Sequence, residues 1–217
     1  MVLSADVDSV MGLLHLREFQ PLRVFATPSV LRILTEENSL FRCLERSAPP
    51  VSWESLPLNR GIEIAGLQCT AIPLGGAYPD YVSDALRKNL AKDEAAIGLE
   101  FVQNQRKFFY APSICGQTDG WKCHAAAADL ALLDGTFWTD RELIDVRGGG
   151  KTARDIGHIP LSGTDGMLAQ LGPAAKGRRA LIHLNNTNPV LDESSDAHRA
   201  VRDAGWEVAC DGMEFEL

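Results

Sequence analysis

Four short segments hold the residue types that chemistry needs. Ser4-Ala5-Asp6-Val7-Asp8-Ser9 places a hydroxyl and two carboxylates at alternate positions. In extended backbone, positions 4, 6 and 8 share one face, and two carboxylates on that face repel unless a cation or a shared proton relieves them. The same residues also suit a solvated turn in which Asp8 or Ser9 caps a helix from Val10. Leu133-Asp134-Gly135-Thr136-Phe137-Trp138 delivers Asp134 from an apolar run into a glycine turn, as a site carboxylate or as an Asx turn holding its own backbone. Gly157-His158-Ile159-Pro160 holds a histidine in a tight, irregular loop, as a ligand, an acid/base group or a structural donor to backbone carbonyls. His183-Leu184-Asn185-Asn186-Thr187-Asn188-Pro189 puts a histidine beside a dense set of neutral donors and acceptors. Such a set suits a polar small molecule or the fixing of a histidine tautomer, and also a plain Asn-rich turn.

The elements that must position these groups follow from patterning. Met1-Val2-Leu3 reads as the end of an apolar strand, with Ser4 to Ser9 as the loop after it. Val10 to Glu18 suits a short amphipathic helix, and Leu22 to Ala26 a strand. Thr27-Pro28 opens a helix to about Leu34, with Thr as N-cap and Pro at the first helical position. Glu36 to Pro57 is mixed, with a turn at Ala48-Pro49-Pro50. Gly61 to Ile72 holds two apolar runs split by Gly66. Ala95 to Val102 and Lys107 to Ala111 form a hairpin ended by Pro112. Trp121 to Ala128 is helical, Leu130 to Leu133 a buried strand, Gly148-Gly149-Gly150 part of a long loop, and Gly166 to Leu171 a short helix. Ala180 to Leu184 is a buried strand that carries His183. A helix runs from Ser194-Ser195-Asp196 to near Gly205. Glu207 to Cys210 and Met213 to Leu217 close the chain as a hairpin around Asp211-Gly212. Strand–helix alternation with hairpins predicts helices packed outside central sheets, in one domain over residues 1–217.

Composition narrows the function classes. The chain has 217 residues, 45% of them hydrophobic and 23% charged, and a formal net charge of -8. That balance is globular rather than disordered. An acidic surface without a basic stripe disfavours nucleic acid. No apolar run approaches the roughly 20 residues of a bilayer span, and no signal segment opens the chain. The five cysteines, Cys43, Cys69, Cys115, Cys123 and Cys210, include no CxxC pair, which reads as reduced thiols in the cytoplasm. Cys115 with Cys123-His124 could ligate a metal or be small thiols near a helix.

In this order, the segments Leu3 to Pro28, Tyr110 to Gly120, Ala128 to Trp138, Gly157 to Gly163 and Arg179 to Leu217 resemble the PqqB family of pyrroloquinoline quinone (PQQ) biosynthesis. The most specific stretches are Leu181 to Pro189, Gly205-Trp206-Glu207-Val208-Ala209 and Asp211-Gly212-Met213. The resemblance implies an α/β metallo-β-lactamase fold, an αββα sandwich with the site at one edge and some N-terminal strands missing. It also implies an N-terminal region with a zinc-binding cysteine cluster, which this sequence lacks. The superfamily's first ligand loop reads His-x-His-x-Asp-His, and here Ser4, Asp6, Asp8 and Ser9 hold the aligned positions. PqqB-like proteins often replace the first two histidines and usually keep the last, where this chain has Ser9. Ser113 falls near the place of the metal-bridging Asp, and His183 matches the final ligand.

Asp6, Asp8 and His183 are therefore the implied metal ligands for a divalent ion, with iron as the candidate. A 2-His-1-carboxylate iron site needs one more histidine, and His158 is the nearest by motif. The implied activity is hydroxylation of the tyrosine ring in a crosslinked, peptide-derived Glu–Tyr intermediate. His158 and Asp134 are then the catalytic candidates. Ser4, Ser9, Asn185, Asn186 and Asn188 are the candidate substrate-binding residues, and Arg154 is a further donor. The implied ligand is PQQ or a PQQ precursor, and other proteins of that pathway are the candidate partners. Two alternatives stand beside this: a non-catalytic carrier of PQQ or its precursor, which the loss at Ser9 suits, and a metal-dependent hydrolase, which normally needs the full ligand set.

Overall fold

The structure, a computed structural model, describes residues 1–16, 21–46, 51–116, 118–172 and 177–217. The chain opens with an extended segment bonded on both sides. Val2 N–H donates to Phe25 O at 2.8 Å and Ile97 N–H donates to Leu3 O at 3.0 Å, and Ser4 bridges Ala96. Helix α1 (Val7–Val10) follows and tightens into a 3-10 turn over Met11–Leu16. It starts earlier than the predicted Val10 because the Asp6 carbonyl accepts both Ser9 and Val10 N–H. The predicted end at Glu18 lies outside the described residues, as does the turn predicted at Ala48-Pro49-Pro50.

Strand β1 (Arg23–Ala26) leads into α2 (Pro28–Arg32), with Thr27 Oγ1 accepting Val30 N–H as the sequence predicts. A π-type turn over Ile33–Glu37 and helix α3 (Arg42–Glu45) come next. Strand β2 (Ser52–Ser55) then pairs with β1 in parallel. The second sheet has seven strands: β3 (Gly61–Ile64), β4 (Leu67–Pro73), β5 (Ile97–Gln103), β6 (Arg106–Ala111), β7 (Leu130–Asp134), β8 (Arg178–Ile182) and β9 (Glu207–Val208), paired in that order. Strands β3 to β6 are antiparallel. The β5–β6 turn has Asn104 and Gln105 at φ 49° and 67°, the left-handed pair that a two-residue hairpin turn requires. Strands β6 to β9 are parallel and so need crossovers, which helices supply. Helix α4 (Asp84–Arg87) lies between β4 and β5; α5 (Gly120–Ala127), α6 (Glu142–Arg147), α7 (Met167–Leu171) and α8 (Asp196–Asp203) lie among the parallel strands.

Three apolar clusters make four layers. Val24, Ala26, Val30, Ile33 and Leu44 fill the space between the small sheet and its helices. Leu56, Cys69, Ala71, Ile97 and Leu99, with Phe25 and Ile62 against them, fill the space between the sheets. Phe109, Trp121, Leu133, Leu181, Val201 and Trp206 pack the large sheet against α5, α7 and α8. This is the helix–sheet–sheet–helix sandwich of the metallo-β-lactamase fold.

The C-terminal hairpin is not formed. Strand β9 has two residues and pairs in parallel with β8, and a turn from Cys210 to Met213 carries the chain away. Phe215 then packs under the Arg178 guanidinium, whose Cζ lies 4.8 Å from the ring centroid, instead of alongside β9. Strand β8 ends at Ile182, so His183 stands just beyond it and not on it. Helix α6 was not predicted; it ends on Gly148 at φ 76°, a left-handed C-cap. No helix among the described residues is long and apolar enough to cross a membrane.

Candidate functional site

The candidate residues arrive at one edge from separate elements. The segment before α1 brings Ser4 and Asp6, its N-cap, and α1 itself brings Asp8 and Ser9. Strand β7 ends at Asp134, and β8 ends one residue before His183. His158 comes from the loop after α6 and its following 3-10 turn, which closes on Gly157 at φ 90°. Adjacent parallel strands delivering side chains at their carboxyl ends is the usual place for an α/β site.

Asp134 is the anchor. Its side chain is 0% exposed, and its oxygens accept from Ile114 N–H at 2.8 Å, Thr136 N–H at 3.0 Å, Thr136 Oγ1 at 2.6 Å and His158 Nδ1 at 2.7 Å. A carboxylate has about four acceptor sites, so this one is saturated. Thr136 Oγ1 also lies 3.1 Å from His158 Nδ1 and 2.8 Å from His183 Nδ1. The two imidazoles stack with centroids 5.5 Å apart and planes at 23°. Phe137 meets the His158 ring edge-on at 5.8 Å.

On the open side, His183 Nε2 lies 3.3 Å from Asp8 Oδ2, with side chains 38% and 67% exposed. Ser4 Oγ donates to Asp6 Oδ2 at 2.8 Å and lies 3.2 Å from Ser9 Oγ. One proton serves one acceptor, so Ser9 donates to Ser4. Burial pushes the Asp6 carboxyl above its usual range, and the Asp8 charge adds to this against the lowering effects of Ser4, His158 and His183. Burial pulls the His158 imidazole down, but Asp134, through charge and hydrogen bond, and then Asp6 and Asp8, outweigh it and hold it above its usual value.

Asp134, His158 and His183 each offer a ligand atom within 4.8 Å of the others. Proximity makes Asp134 a candidate ligand, but its four accepted bonds and its burial make it an orienting group behind the histidines. The atoms left facing outward are His183 Nε2 and Asp8 Oδ2. Two ligands about 2.0–2.2 Å from one ion sit roughly 3.0–3.5 Å apart at tetrahedral or octahedral angles. Their 3.3 Å separation therefore fits a shared divalent cation. Imidazole and carboxylate donors suit iron, zinc or manganese.

The Asn loop is used differently from expectation. Asn188 is buried; its amide donates to Gly135 O at 2.7 Å and its Oδ1 accepts Val190 N–H at 2.9 Å. Asn185 donates to Thr187 Oγ1, which donates to Glu142 Oε1. Asn186 is exposed. Ser113 stands outside the cluster, although the next residue, Ile114, gives its N–H to Asp134. Arg154 pairs with Asp165 at 2.7 Å instead of standing free for a ligand. Cys123 is exposed and Cys115 is buried; neither belongs to the cluster.

Thr136, Glu142 and Tyr81 are contributors that sequence reasoning missed. The Asp-x-Thr spacing held the signal for Thr136, since a carboxylate at a turn takes donors from two residues on. Buried Glu142 also accepts Trp138 N–H at 2.6 Å. Tyr81 donates to Ala5 O at 2.5 Å, beside the first loop. A lone Glu and a lone Tyr in irregular segments carry no such signal.

A family model described as a beta-lactamase superfamily domain matches residues 1–184. A coenzyme PQQ synthesis protein B from Methylobacterium nodulans is 37% identical over 218 residues, covering 100% of this chain and 72% of that protein. The protein of the same description from Xanthomonas campestris is 34% identical with the same coverage. Among solved structures, Zn(2+)-bound PqqB from Methylobacterium extorquens aligns with a TM-score of 0.88 at 36% identity, over 99% of this chain and 71% of that one. A diphosphatase from the PhnP family aligns at 0.63 with 14% identity, over 97% of this chain and 66% of that one, a likeness of fold alone.

Proposed function

Because the chain belongs to the PqqB family of the β-lactamase superfamily, we propose that it works in PQQ biosynthesis as a metal-dependent hydroxylase of the tyrosine ring in a peptide-derived Glu–Tyr intermediate. The observation that carries this reading is the outward pair His183 Nε2 and Asp8 Oδ2, 3.3 Å apart, with His158 stacked behind. Two imidazoles and a carboxylate are the donor set of non-haem iron oxygenases. His183 and Asp8 would hold the ion, with Asp6 and His158 beside them, and a bound iron would supply the activation of dioxygen. Ring hydroxylation turns an aryl C–H into C–OH; the second oxygen atom leaves as water, taking two electrons from an external reductant.

The chain's own residues supply the rest. Asp134 and Thr136 hold the imidazoles from behind, and Phe137 gives His158 an apolar wall that keeps water from that side. Burial lowers the basicity of His158 and Asp134 outweighs it; with Nδ1 held on Asp134, the atom of this ring left for the open side is Nε2. Exposed Asn186 would offer an acidic substrate a neutral donor, while the Asn185 amide is turned to Thr187 Oγ1.

One feature favours a second reading, a carrier of PQQ or its precursor. Ser9 stands where the family usually has a ligand histidine, and its hydroxyl is turned to Ser4. Metal content separates the two. Protein purified without chelators should hold about one transition-metal ion per chain, lost in Asp8→Ala and in His183→Ala. The iron-loaded protein should add one oxygen atom to a Glu–Tyr substrate, read by mass spectrometry. No bound metal and no uptake of Fe²⁺, Mn²⁺ or Zn²⁺ would leave the carrier as the better account.

A further inference from the structure

We infer that Thr136 is a positioning residue that fixes the tautomer of His183. Its Oγ1 carries one proton and sits 2.6 Å from Asp134 Oδ1. A carboxylate can only accept, so the proton goes there. Toward His183 Nδ1, 2.8 Å away, the hydroxyl oxygen can then only accept. His183 is therefore protonated on Nδ1. In a neutral imidazole with Nδ1–H the lone pair lies on Nε2, the atom that faces Asp8 Oδ2. His158 Nδ1, at 2.7 Å from Asp134 Oδ2 and 3.1 Å from Thr136 Oγ1, meets two acceptors and is a donor as well. One hydroxyl thus turns the Nδ1–H edges of both stacked rings inward.

The backbone of Thr136 ties down the same loop. Its carbonyl accepts Asn185 N–H at 3.1 Å and Asn188 Nδ2 at 3.3 Å. Between these ties and β8, His183 sits at φ 57°, a left-handed conformation that a non-glycine residue keeps only where its surroundings over-determine it. Thr136 therefore bonds both ends of the problem: the ring nitrogen and the strained segment that carries the ring. The use of the outward lone pair rests on the metal reading above, whereas the tautomer does not.

The test is long-range ¹H–¹⁵N spectroscopy of the histidine rings in the metal-free 217-residue chain at pH roughly 9, where imidazoles are mostly neutral, on wild type, Thr136→Val and Thr136→Ser. Wild type should show His183 as Nδ1–H. Thr136→Val should shift it to a mixture or to Nε2–H while His158 stays Nδ1–H on Asp134, and Thr136→Ser should restore the wild-type pattern. Zn²⁺ affinity should fall about tenfold to a hundredfold in Thr136→Val and recover in Thr136→Ser. An Nε2–H His183 in wild type, or a tautomer unchanged by Thr136→Val, overturns the inference. If Thr136→Val does not fold, the wild-type spectrum still decides. Absence of Zn²⁺ binding in wild type with an Nδ1–H His183 would remove the metal reading and leave the tautomer assignment standing.

Discussion

Replacing Asp134 by Asn tests whether the buried carboxylate organises the site from behind. The wild-type oxygens accept four donors: Ile114 N–H, Thr136 N–H, Thr136 Oγ1 and His158 Nδ1. An amide keeps one acceptor oxygen and turns an NH₂ toward the other pair. With its oxygen in the Oδ1 position, Asn satisfies the Thr136 donors and opposes the Ile114 N–H with an N–H of its own. His158 escapes only by moving its proton to Nε2. Hydrogen bonds to a charged acceptor contribute about 1.5–3 kcal/mol each, and an unsatisfied buried donor costs about 1–3 kcal/mol. The variant should therefore lose about 3–5 kcal/mol, a large share of the roughly 5–15 kcal/mol of a typical domain. Urea unfolding of metal-free protein reads this as a fall in midpoint at unchanged slope. Asp8→Asn is the control: its pair with His183 is solvent-exposed, so it should change stability by less than about 1 kcal/mol. A loss under about 1 kcal/mol for Asp134→Asn, or an equal loss for Asp8→Asn, would refute the assignment of Asp134 as the anchor.

Burial holds the Cys115 thiol at about 12, with Asp134 and Asp6 adding to it, and the Cys69 thiol at about 11; both should resist alkylation of the native protein at pH about 8, where the thiolate is the reactive form. Exposed Cys43, Cys123 and Cys210 should be modified first, as peptide mapping would show. For Asp6, burial raises the folded-state pKa, so ionisation costs the folded state nothing below the ordinary carboxylate range near about 4 and progressively more as pH climbs through the folded value. Asp6→Asn should accordingly melt above wild type at neutral pH in metal-free protein, and a Tm gap that failed to narrow on acidification would contradict the cause.

Local signals made much of the frame legible. Thr27-Pro28 predicts its helix start because cap and fixed φ act within one turn. The β5–β6 hairpin is legible because alternation and a short polar turn suffice. Asp134 stood out at the end of an apolar run, His158 in a loop between Gly157 and an Ile-Pro step, and His183 within an apolar strand, but their mutual arrangement did not. Thr136 matters through contacts to residues 22 and 47 positions away, and no local pattern encodes such a meeting. The C-terminal segment misled for a related reason. Met213 to Leu217 alternates like a strand, but β9, the last strand of the sheet, is only two residues long and offers too short an edge for a hairpin partner.

The position of Ser9 sharpens what the site must do with fewer ligands. With a serine there, the first loop contributes carboxylates and hydroxyls but no imidazole. The second imidazole beside His183 comes instead from His158, which follows a different crossover and is locked by Asp134. Its Nδ1 is turned inward, so any service toward the open side falls to Nε2. Asp6 adds a carboxylate kept partly out of water, where burial raises its pKa above the usual range and nearby positive charge lowers it. A cation between Asp6, Asp8 and His183 would relieve that penalty, and a protonated Asp6 would relieve it without one. Metal affinity and the acidity of Asp6 are thus coupled. The carboxylates that make this edge costly to fold are the same groups that would give it affinity for an ion.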